Sequence, residues 1–197
     1  MRVDRFYLRQ IVDEYYRDKN VGLVTCLYKI SSPRTVGAAL ESLTIALDFI
    51  PSVLVARRLE GITFGLGASL LLSTKALEDV GGLSAIANYL AGDYQIGYRL
   101  WEKGYKINLS DIVIENTVGP MSIRNHLMHQ IRWSKTYRAS RPKGFAGYGI
   151  THVLAFSLFL VIIQGPTLLT LSILGTALVL RFSMAALMYR KVIRSKK

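Results

Sequence analysis

A long stretch without charged side chains constrains the fold of this chain more than any other sequence feature. No Asp, Glu, Lys or Arg occurs between Lys143 and Arg181, and Gln164-Gly165-Pro166 divides this stretch into two halves. Each half approaches the roughly 20 apolar residues that a helix needs to cross the hydrocarbon core of a bilayer. The sequence therefore predicts a transmembrane hairpin with helices at about 146–163 and 167–189. A buried hairpin within a soluble protein is the alternative interpretation.

The net charge of +12 is concentrated around this apolar stretch. Residues 116–197 hold 12 of the 25 bases and no acid, whereas residues 1–115 hold the other 13 bases and all 13 acids. The excess bases cluster at 124–143 and 190–197, and basic segments beside membrane helices stay on the cytoplasmic side. We therefore expect a multi-pass protein of the cell (inner) membrane, with its α/β part and C-terminus in the cytosol. A nucleic-acid-binding patch is the less favoured alternative, and no nucleic-acid partner is predicted.

Before the hairpin, strand-like and helix-like segments alternate along the chain. Such alternation predicts an α/β domain with a mostly parallel sheet. We expect an α/β segment at 1–120, a basic amphipathic interfacial helix at 121–143, and the hairpin with a basic tail at 144–197. Glycines are expected to end helices at Gly81-Gly82 and at Gly104. Helices are predicted at 5–16, from Ser32-Pro33 to a break at Pro51, at 75–80 and at 93–102, and strands at 21–28, within 62–73 and at 106–115.

The chain has a single cysteine, Cys26. One cysteine excludes an internal disulfide framework and offers no zinc cluster. Because Cys26 lies in the apolar run 21–27, we interpret it as a small buried hydrophobe rather than as a nucleophile.

Asp93 stands at the expected start of a helix, in the segment Ala91-Gly92-Asp93-Tyr94-Gln95. The positive end of the helix dipole favours the ionised form of a carboxylate there. One interpretation is an N-cap, a common role for Asp at such a position. The other is a general base, which requires an ionised carboxylate within hydrogen-bonding reach of an acceptor hydroxyl.

The basic helix before the hairpin carries the segment His129-Gln130-Ile131-Arg132-Trp133. On a helix, His129, Arg132 and Trp133 stand at i, i+3 and i+4 and share one face. A guanidinium pairs well with phosphate oxygens, and an indole offers a flat wall to a sugar or a lipid head group. The segment therefore indicates a diphosphate-binding face, although an Arg-Trp pair is also common in helices at a membrane interface.

Together the two segments resemble motifs of the inverting glycosyltransferases in the cellulose synthase and ceramide glucosyltransferase group, of the family-2 and family-21 type. In that group a catalytic aspartate lies in a motif similar to (Ala/Glu)-Asp-Asp-Tyr-Gln-Leu-Gly, and a (Gln/Arg)-x-x-Arg-Trp helix and membrane helices follow. Here residues 91–97 align with the first motif and residues 129–133 with the second. Similarity to the ceramide glucosyltransferase-like, hopanoid-biosynthesis-associated branch continues through 21–28, 51–61 and 64–68, so it covers nearly the whole chain.

The resemblance implies the C-terminal, acceptor-side part of a GT-A-like nucleotide-diphospho-sugar transferase domain, followed by the interfacial helix and the hairpin. The implied reaction is the inverting transfer of a sugar, expected to be glucose, from a UDP-sugar to a hydroxyl of a ceramide-like or hopanoid-related membrane lipid. Asp93 is the implied catalytic base, His129 and Arg132 are the implied diphosphate-binding residues, and Trp133 is an implied acceptor-binding residue.

Two glycines in Phe64-Gly65-Leu66-Gly67 are further candidates for acceptor binding. Glycine has no side chain to intervene, so Gly65 and Gly67 would let the backbone approach a sugar or an acceptor closely. A tight turn in the core explains the same pattern equally well.

The chain departs from the family pattern at three points. Gly92 replaces a customary acidic residue before the base, and His129 replaces Gln or Arg. The Asp-x-Asp motif, which in similar enzymes holds a divalent metal (Mg²⁺ or Mn²⁺) on the nucleotide-sugar, would lie just ahead of Met1. The resemblance therefore implies a metal for the full-length family whose ligands are absent from this chain, since Asp4 alone does not make a metal site.

The sequence leaves three hypotheses for the function of the chain. In the first, which we favour, the chain is an N-terminally truncated family member that carries the acceptor half and is not catalytically active by itself. In the second, it forms an enzyme with a separate nucleotide-binding chain. In the third, it is a non-enzymatic basic membrane protein that binds anionic lipid or nucleic acid through residues 124–143.

Overall fold

A computed structural model gives the fold of residues 1–188 and 190. The predicted α/β class is confirmed. Gly81, Gly82 and Gly104 adopt positive φ angles, as the predicted helix ends require. In chain order the regular elements are α1 (Tyr7–Tyr16), β1 (Val21–Ile30), α2 (Val36–Thr44), a π turn (Ile45–Phe49), α3 (Ile50–Leu59), β2 (Leu70–Leu71), α4 (Thr74–Asp79), α5 (Gly92–Glu102), β3 (Lys106–Asn116), α6 (Ile123–Ser140), α7 (Pro142–Tyr148), α8 (Val153–Gln164) and α9 (Leu168–Met188), with short 3₁₀ turns at Leu83–Ile86 and Gly149–His152.

The sheet has three strands in the order β2-β1-β3. β1 runs parallel to β3 and antiparallel to the short strand β2. The strands predicted at 21–28 and 106–115 are therefore confirmed. Most of the segment 62–73 is a loop with one bridge between Leu66 and Ser69, and this loop turns the chain so that β2 pairs antiparallel. The sheet is mixed rather than mostly parallel.

Apolar side chains cover both faces of the sheet. On one face, Ile11 of α1 packs against Val24, Cys26 and Ile114. Cys26 is fully buried, and burial raises the pKa of its thiol, which confirms its interpretation as a small core residue. On the other face, the sheet residues Leu23, Leu27, Ile107 and Leu109 pack with the helix residues Ile45, Ile50, Val53, Ile96 and Leu100.

The helix α2, the π turn and the helix α3 join into one continuous helix from Val36 to Leu59, here called the long helix. The sequence predicts a break at Pro51, and this prediction is wrong. In the π turn the N–H of Ile50 donates to the carbonyl of Ile45, five residues back. Pro51 therefore falls in the first turn of α3, where the missing N–H and the fixed φ of proline are tolerated.

Two helices pack against each other where the membrane hairpin is predicted, and the first of them is shorter than expected. α8 and α9 pack against each other and are joined at Gly165, whose φ is 80°. The hydroxyl of Thr170 donates to the carbonyl of Gly165 at 2.8 Å and closes the turn. α8 begins only at Val153, because the short helix α7 and a 3₁₀ turn precede it. The predicted end of the second helix at residue 189 and the basic tail from residue 191 lie outside the described residues.

The long helix and α9 are the two described helices that are long and apolar enough to cross a membrane. The long helix buries one side against the sheet through Ile45, Ile50 and Val53. α9, in contrast, exposes most of its apolar side chains, among them Leu180 and Phe182. α8 extends only about 18 Å, less than a hydrocarbon core of about 30 Å. α9 is therefore the described helix that best fits a lipid environment.

Arg181 is a charge within the apolar helix α9. Its guanidinium pairs with the carboxylate of Asp48 in the π turn, and both side chains are about one-fifth exposed. A charge in such a helix is tolerated when it faces protein and finds a partner. The pair joins α9 to the long helix, so that the apolar hairpin and the α/β part meet at the π turn.

Candidate active site

The first turn of α5 places Asp93 beside the loop at residues 64–67, here called the glycine loop. A Cβ atom built on Gly67 would lie 2.9 Å from Oδ2 of Asp93. Ala91 occupies the N-cap position of α5, so Asp93 does not cap the helix but stands in its first turn, where the dipole still favours a negative charge. The carboxylate is half-buried and accepts no hydrogen bond from the part of the chain that the structure describes. Its oxygens are not among the fully buried atoms that lack a partner, so they are accessible to a ligand.

The glycine loop lies directly on the backbone of α5. Gly97 follows Asp93 by one turn on the same face, and a Cβ atom on Gly97 would lie 2.2 Å from the backbone nitrogen of Gly65. A Cβ atom on Gly65 would in turn lie 2.6 Å from the backbone oxygen of Asp93. This close contact explains why residue 97 is a glycine. Any side chain at this position would push the glycine loop away from Asp93.

Thr25 of β1 fixes the glycine loop from the other side. Its fully buried hydroxyl accepts the N–H of Leu66 at 2.9 Å and donates to the carbonyl of Ser69 at 2.8 Å. The signal in the sequence is a single polar residue in the apolar run 21–27. Thr25 thereby determines how the loop approaches Asp93.

Replacing Thr25 with Val should lower the free energy of unfolding by about 1–3 kcal/mol, because a buried N–H and a buried carbonyl each lose a partner. Thr25→Ser keeps the hydroxyl and is the matched control. Chemical denaturation of the purified full chain in detergent measures both variants. A Val variant at least as stable as the Ser variant would show that the hydroxyl does not fix the loop.

An aromatic stack extends from the glycine loop along α5. The rings of Phe64 and Tyr94 are stacked at 5.9 Å. The guanidinium of Arg141 lies 5.5 Å from the centre of the Phe64 ring and pairs with Glu60. Burial raises the pKa of the Tyr94 hydroxyl, and the positive charge of Arg141 partly offsets this rise. Arg141 therefore ties the C-terminal end of α6 to the segment that leads into the glycine loop.

The inner face of α6 carries His129 and Trp133. The indole of Trp133 lies 5.1 Å from the His129 ring and 5.6 Å from the ring of Phe49 in the π turn, measured between ring centres. Phe49 in turn contacts Tyr28 at 5.1 Å. A row of aromatic side chains thus connects α6 to the end of β1.

The hydroxyl of Tyr28 is affected by two carboxylates, Asp93 on α5 and Glu41 on the long helix. Its hydroxyl is largely buried, and its pKa is raised mainly by that burial and further by the negative charges of Glu41 and Asp93. The phenol therefore stays neutral and lies within electrostatic reach of both carboxylates. Glu41 itself contacts the inner face of α6, and Asp93 stands in the first turn of α5.

The whole chain, residues 1–197, matches the model of a family described as Glycosyl transferase family 21. The chain belongs to this family. Ceramide glucosyltransferase 3 from Caenorhabditis elegans is a curated relative that is 33% identical over 76 residues. The matched segment covers 39% of this chain and 17% of that relative, so the similarity to it is distant and partial. Family 21 membership implies a nucleotide-sugar donor and an acceptor.

The structure of this family 21 glycosyltransferase brings the predicted site residues together in two groups. Asp93 lies against Gly67 and Gly65, and His129 lies against Trp133. Arg132 stands about 60° around the helix from His129. It is exposed, and its guanidinium forms no ion pair with an acid among residues 1–188 and 190.

Gly65 is buried, so its backbone lies against other protein atoms rather than against a ligand site. Gly67, in contrast, is exposed beside the Asp93 carboxylate. The capping alternative for Asp93 is excluded by the position of Ala91. The roles in catalysis, diphosphate binding and acceptor binding stay predictions for all six residues.

Sequence reasoning missed several residues that build the site. Thr25, Tyr28, Glu41 and Arg141 hold or border the glycine loop and α6. Glu41 gives a signal in the sequence, because an acid in the middle of an apolar helix needs a partner. Arg141 gives a weaker one, as a base directly before the proline that starts α7.

The described residues do not fit a divalent-metal site. No group of three or more His, Cys, Asp or Glu side chains within residues 1–188 is arranged to hold a metal ion.

Proposed function

We propose that this family 21 member forms the acceptor side of an inverting glycosyltransferase that transfers glucose from a UDP-sugar to a membrane lipid. The observation that carries the proposal is the Asp93 carboxylate, which is open to a ligand beside exposed Gly67 at the start of α5. The similarity to a ceramide glucosyltransferase of the worm supports a ceramide-like acceptor, and a hopanoid-related lipid offers the same hydroxyl chemistry.

In the proposed reaction Asp93 acts as general base. The acceptor hydroxyl gives its proton to the Asp93 carboxylate, and its oxygen forms a bond to the anomeric carbon of the sugar. The bond from that carbon to the diphosphate oxygen breaks on the opposite side, which inverts the anomeric configuration. Arg132, exposed at the edge of the α6 inner face, binds the leaving diphosphate. His129 lies beside it, and Trp133 borders the acceptor.

The proposed place of the protein is the cytosolic face of the inner membrane. α9 and the shorter α8 form the membrane hairpin, and the Arg181–Asp48 pair holds α9 against the long helix. The outer face of α6 supports a position at the lipid surface, because apolar and basic side chains alternate on it. The exposed residues on this face are Ile123, Arg124, Leu127, Ile131, Lys135 and Arg138.

The hairpin should anchor the protein independently of α6. We expect the full chain to stay with membranes during extraction in alkaline carbonate, because the exposed apolar side chains of α9 need lipid. A chain that ends at Lys143 should be released. A chain that ends at Arg190 keeps both helices and serves as the control. Retention of the shorter chain in the membrane pellet would argue against the hairpin as the anchor.

A transfer assay tests the proposed function. Membranes from cells that carry the gene at its own locus, and from cells in which it is deleted, receive radiolabelled UDP-glucose and ceramide. Keeping the locus intact retains whatever upstream sequence or separate nucleotide-binding chain contributes the donor site. We expect a labelled glycolipid that disappears on deletion and returns on complementation. Equal labelling in both membranes would refute the proposal.

A second candidate function is non-enzymatic binding of anionic lipid. The exposed bases on the outer face of α6 favour it, since each base near an anionic surface adds roughly 1 kcal/mol of attraction. This function predicts flotation with vesicles that contain anionic lipid, together with no difference in glycolipid labelling between the deleted and intact cells.

A further inference from the structure

Glu41 is a buried carboxylate in the long helix, and its residue is only 3% exposed. The long helix contains one other acid, Asp48, which pairs with Arg181 of α9. An ionisable group that is removed from water needs charged or hydrogen-bonding partners. The partners of Glu41 therefore indicate what this residue does.

The partners of Glu41 come from α6. Nδ1 of His126 lies 2.8 Å from Oε2 of Glu41, and Nε2 of Gln130 donates to the same oxygen at 2.9 Å. Nδ1 of His129 lies 2.9 Å from Oε1, although the direction of this contact does not meet hydrogen-bond geometry. Both oxygens of one carboxylate thus contact three side chains on one face of α6.

These contacts restrict both the rotation and the sliding of α6. His126, His129 and Gln130 stand at i, i+3 and i+4, so a rotation of α6 would remove all of them from the carboxylate together. Near the start of α6, a Cβ atom on Gly37 would lie 2.5 Å from the backbone oxygens of Met121 and Ser122, which shows how closely the two helices approach. The position of α6 against the long helix is therefore tightly specified.

The orientation of α6 determines where Trp133 and Arg132 lie. Trp133 follows His129 by one turn, and its indole packs on Phe49 of the same long helix that carries Glu41. Arg132 precedes it on the edge of this face. A shift of about 1 Å at such groups costs on the order of 100-fold in rate when they position a substrate.

We infer that Glu41 is a positioning residue for glycosyl transfer, which holds α6 through His126, His129 and Gln130 and thereby sets Trp133 and Arg132 relative to Asp93. The inference rests on the proposed function, because it assigns Trp133 and Arg132 to acceptor and diphosphate. Glu41 touches neither substrate in this assignment. Its effect on the reaction passes through α6.

The test replaces Glu41 with Gln in the full chain. Glu14→Gln is the matched control, since Glu14 is a carboxylate of α1 that accepts hydrogen bonds from Asn108 and Ser110 on the other side of the sheet. Both variants lose one charge at nearly constant volume. Gln130→Met removes one of the α6 partners and serves as the second variant if Glu41→Gln does not fold.

The first readout is the fluorescence of Trp133 in a Trp101→Phe background, which leaves Trp133 as the single indole of the chain. Glu41→Gln and Gln130→Met should shift the emission to longer wavelength and raise quenching by acrylamide at least about twofold, because the indole leaves its contact with Phe49. Glu14→Gln should leave both unchanged. An unaltered Trp133 signal in both α6-directed variants would overturn the inference.

The second readout is glucosyl transfer per folded molecule, in membranes from cells that carry each variant at its own locus. Glu41→Gln should lower kcat at least about tenfold with little change in KM for the nucleotide-sugar, whereas a merely structural residue would change only the amount of folded protein. A shifted Trp133 signal with unchanged kcat refutes positioning. If wild-type membranes show no transfer, the proposed function is refuted and the positioning role of Glu41 is refuted with it. If wild-type membranes show transfer and Glu41→Gln leaves it intact, the positioning role alone is refuted.

Discussion

Replacing Asp93 with Asn should reduce transfer per folded molecule by roughly 10²- to 10⁴-fold, because an amide cannot accept the proton of the acceptor hydroxyl. Asn has nearly the same shape as Asp, and the carboxylate accepts no hydrogen bond from the described residues, so the fold loses little. The measurement is the initial rate of labelled glycolipid formation, normalised to folded protein, in membranes with the variant at its own locus.

The control for this substitution lies on the same helix. Glu102 is an exposed acid at the opposite end of α5, near the hydroxyl of Tyr98. Glu102→Gln removes the same charge and should keep the wild-type rate. If Asp93→Asn kept it as well, Asp93 would not be the base, and the carboxylate beside Gly67 would need another explanation.

The parts of the fold that depend on local patterns were predictable from the sequence. β1 and β3 follow runs of β-branched and apolar residues, and the helix ends at Gly81, Gly82 and Gly104 follow from the positive φ that glycine allows. The turn at Gly165 is predictable for the same reason. These features depend on a few neighbouring residues, and a sequence presents them directly.

The continuity of the long helix was not predictable in this way. Pro51 normally ends a helix, and only the extra residue in the π turn places it where its missing N–H does no harm. The π turn is stabilised by tertiary contacts, since Ile45 is buried in the core and Asp48 pairs with Arg181 of α9. A partner 133 positions away in the chain decides the local structure here.

The candidate site was also only partly predictable from the sequence. The sequence identified Asp93, Trp133 and the glycine loop as separate segments, and their resemblance to family motifs gave them roles. The residues that hold them in place, Thr25 and Glu41, act through contacts with segments 41 to 89 positions away. Such long-range pairs leave only a weak trace in one sequence, namely a polar residue in an otherwise apolar element.

The long helix joins the two parts of the proposed enzyme. Glu41 contacts α6, which carries the implied binding residues, and seven residues later Asp48 contacts α9, the proposed membrane helix. Because both contacts lie on one continuous helix, the distance between the site and the hairpin is fixed by helix geometry. A lipid acceptor requires such an arrangement, since its hydroxyl is held at the membrane surface.

Replacing Gly97 with Ala should lower the free energy of unfolding by at least about 2 kcal/mol, although Ala is the better helix former by about 1 kcal/mol. The added Cβ atom would lie 2.2 Å from the nitrogen of Gly65 and 2.4 Å from the backbone carbon of Phe64. These are backbone atoms, so no side-chain rotation relieves the overlap. The glycine loop must move away from α5, and transfer should fall with it because Gly67 leaves the Asp93 carboxylate.

Gly92→Ala is the control for this prediction, because we expect it to change the free energy of unfolding in the opposite direction. Gly92 lies on the same helix, and a Cβ atom there would meet only the end of the Ile86 side chain at 3.5 Å, an ordinary contact. In chemical denaturation the Gly92→Ala variant should be as stable as the wild type or slightly more stable, since the higher helix propensity of Ala is the only change that affects its stability. Opposite signs for the two substitutions would locate the close approach at Gly97. A stabilised Gly97→Ala variant would mean that the loop does not lie on α5, and the placement of Asp93 beside Gly67 would fail with it.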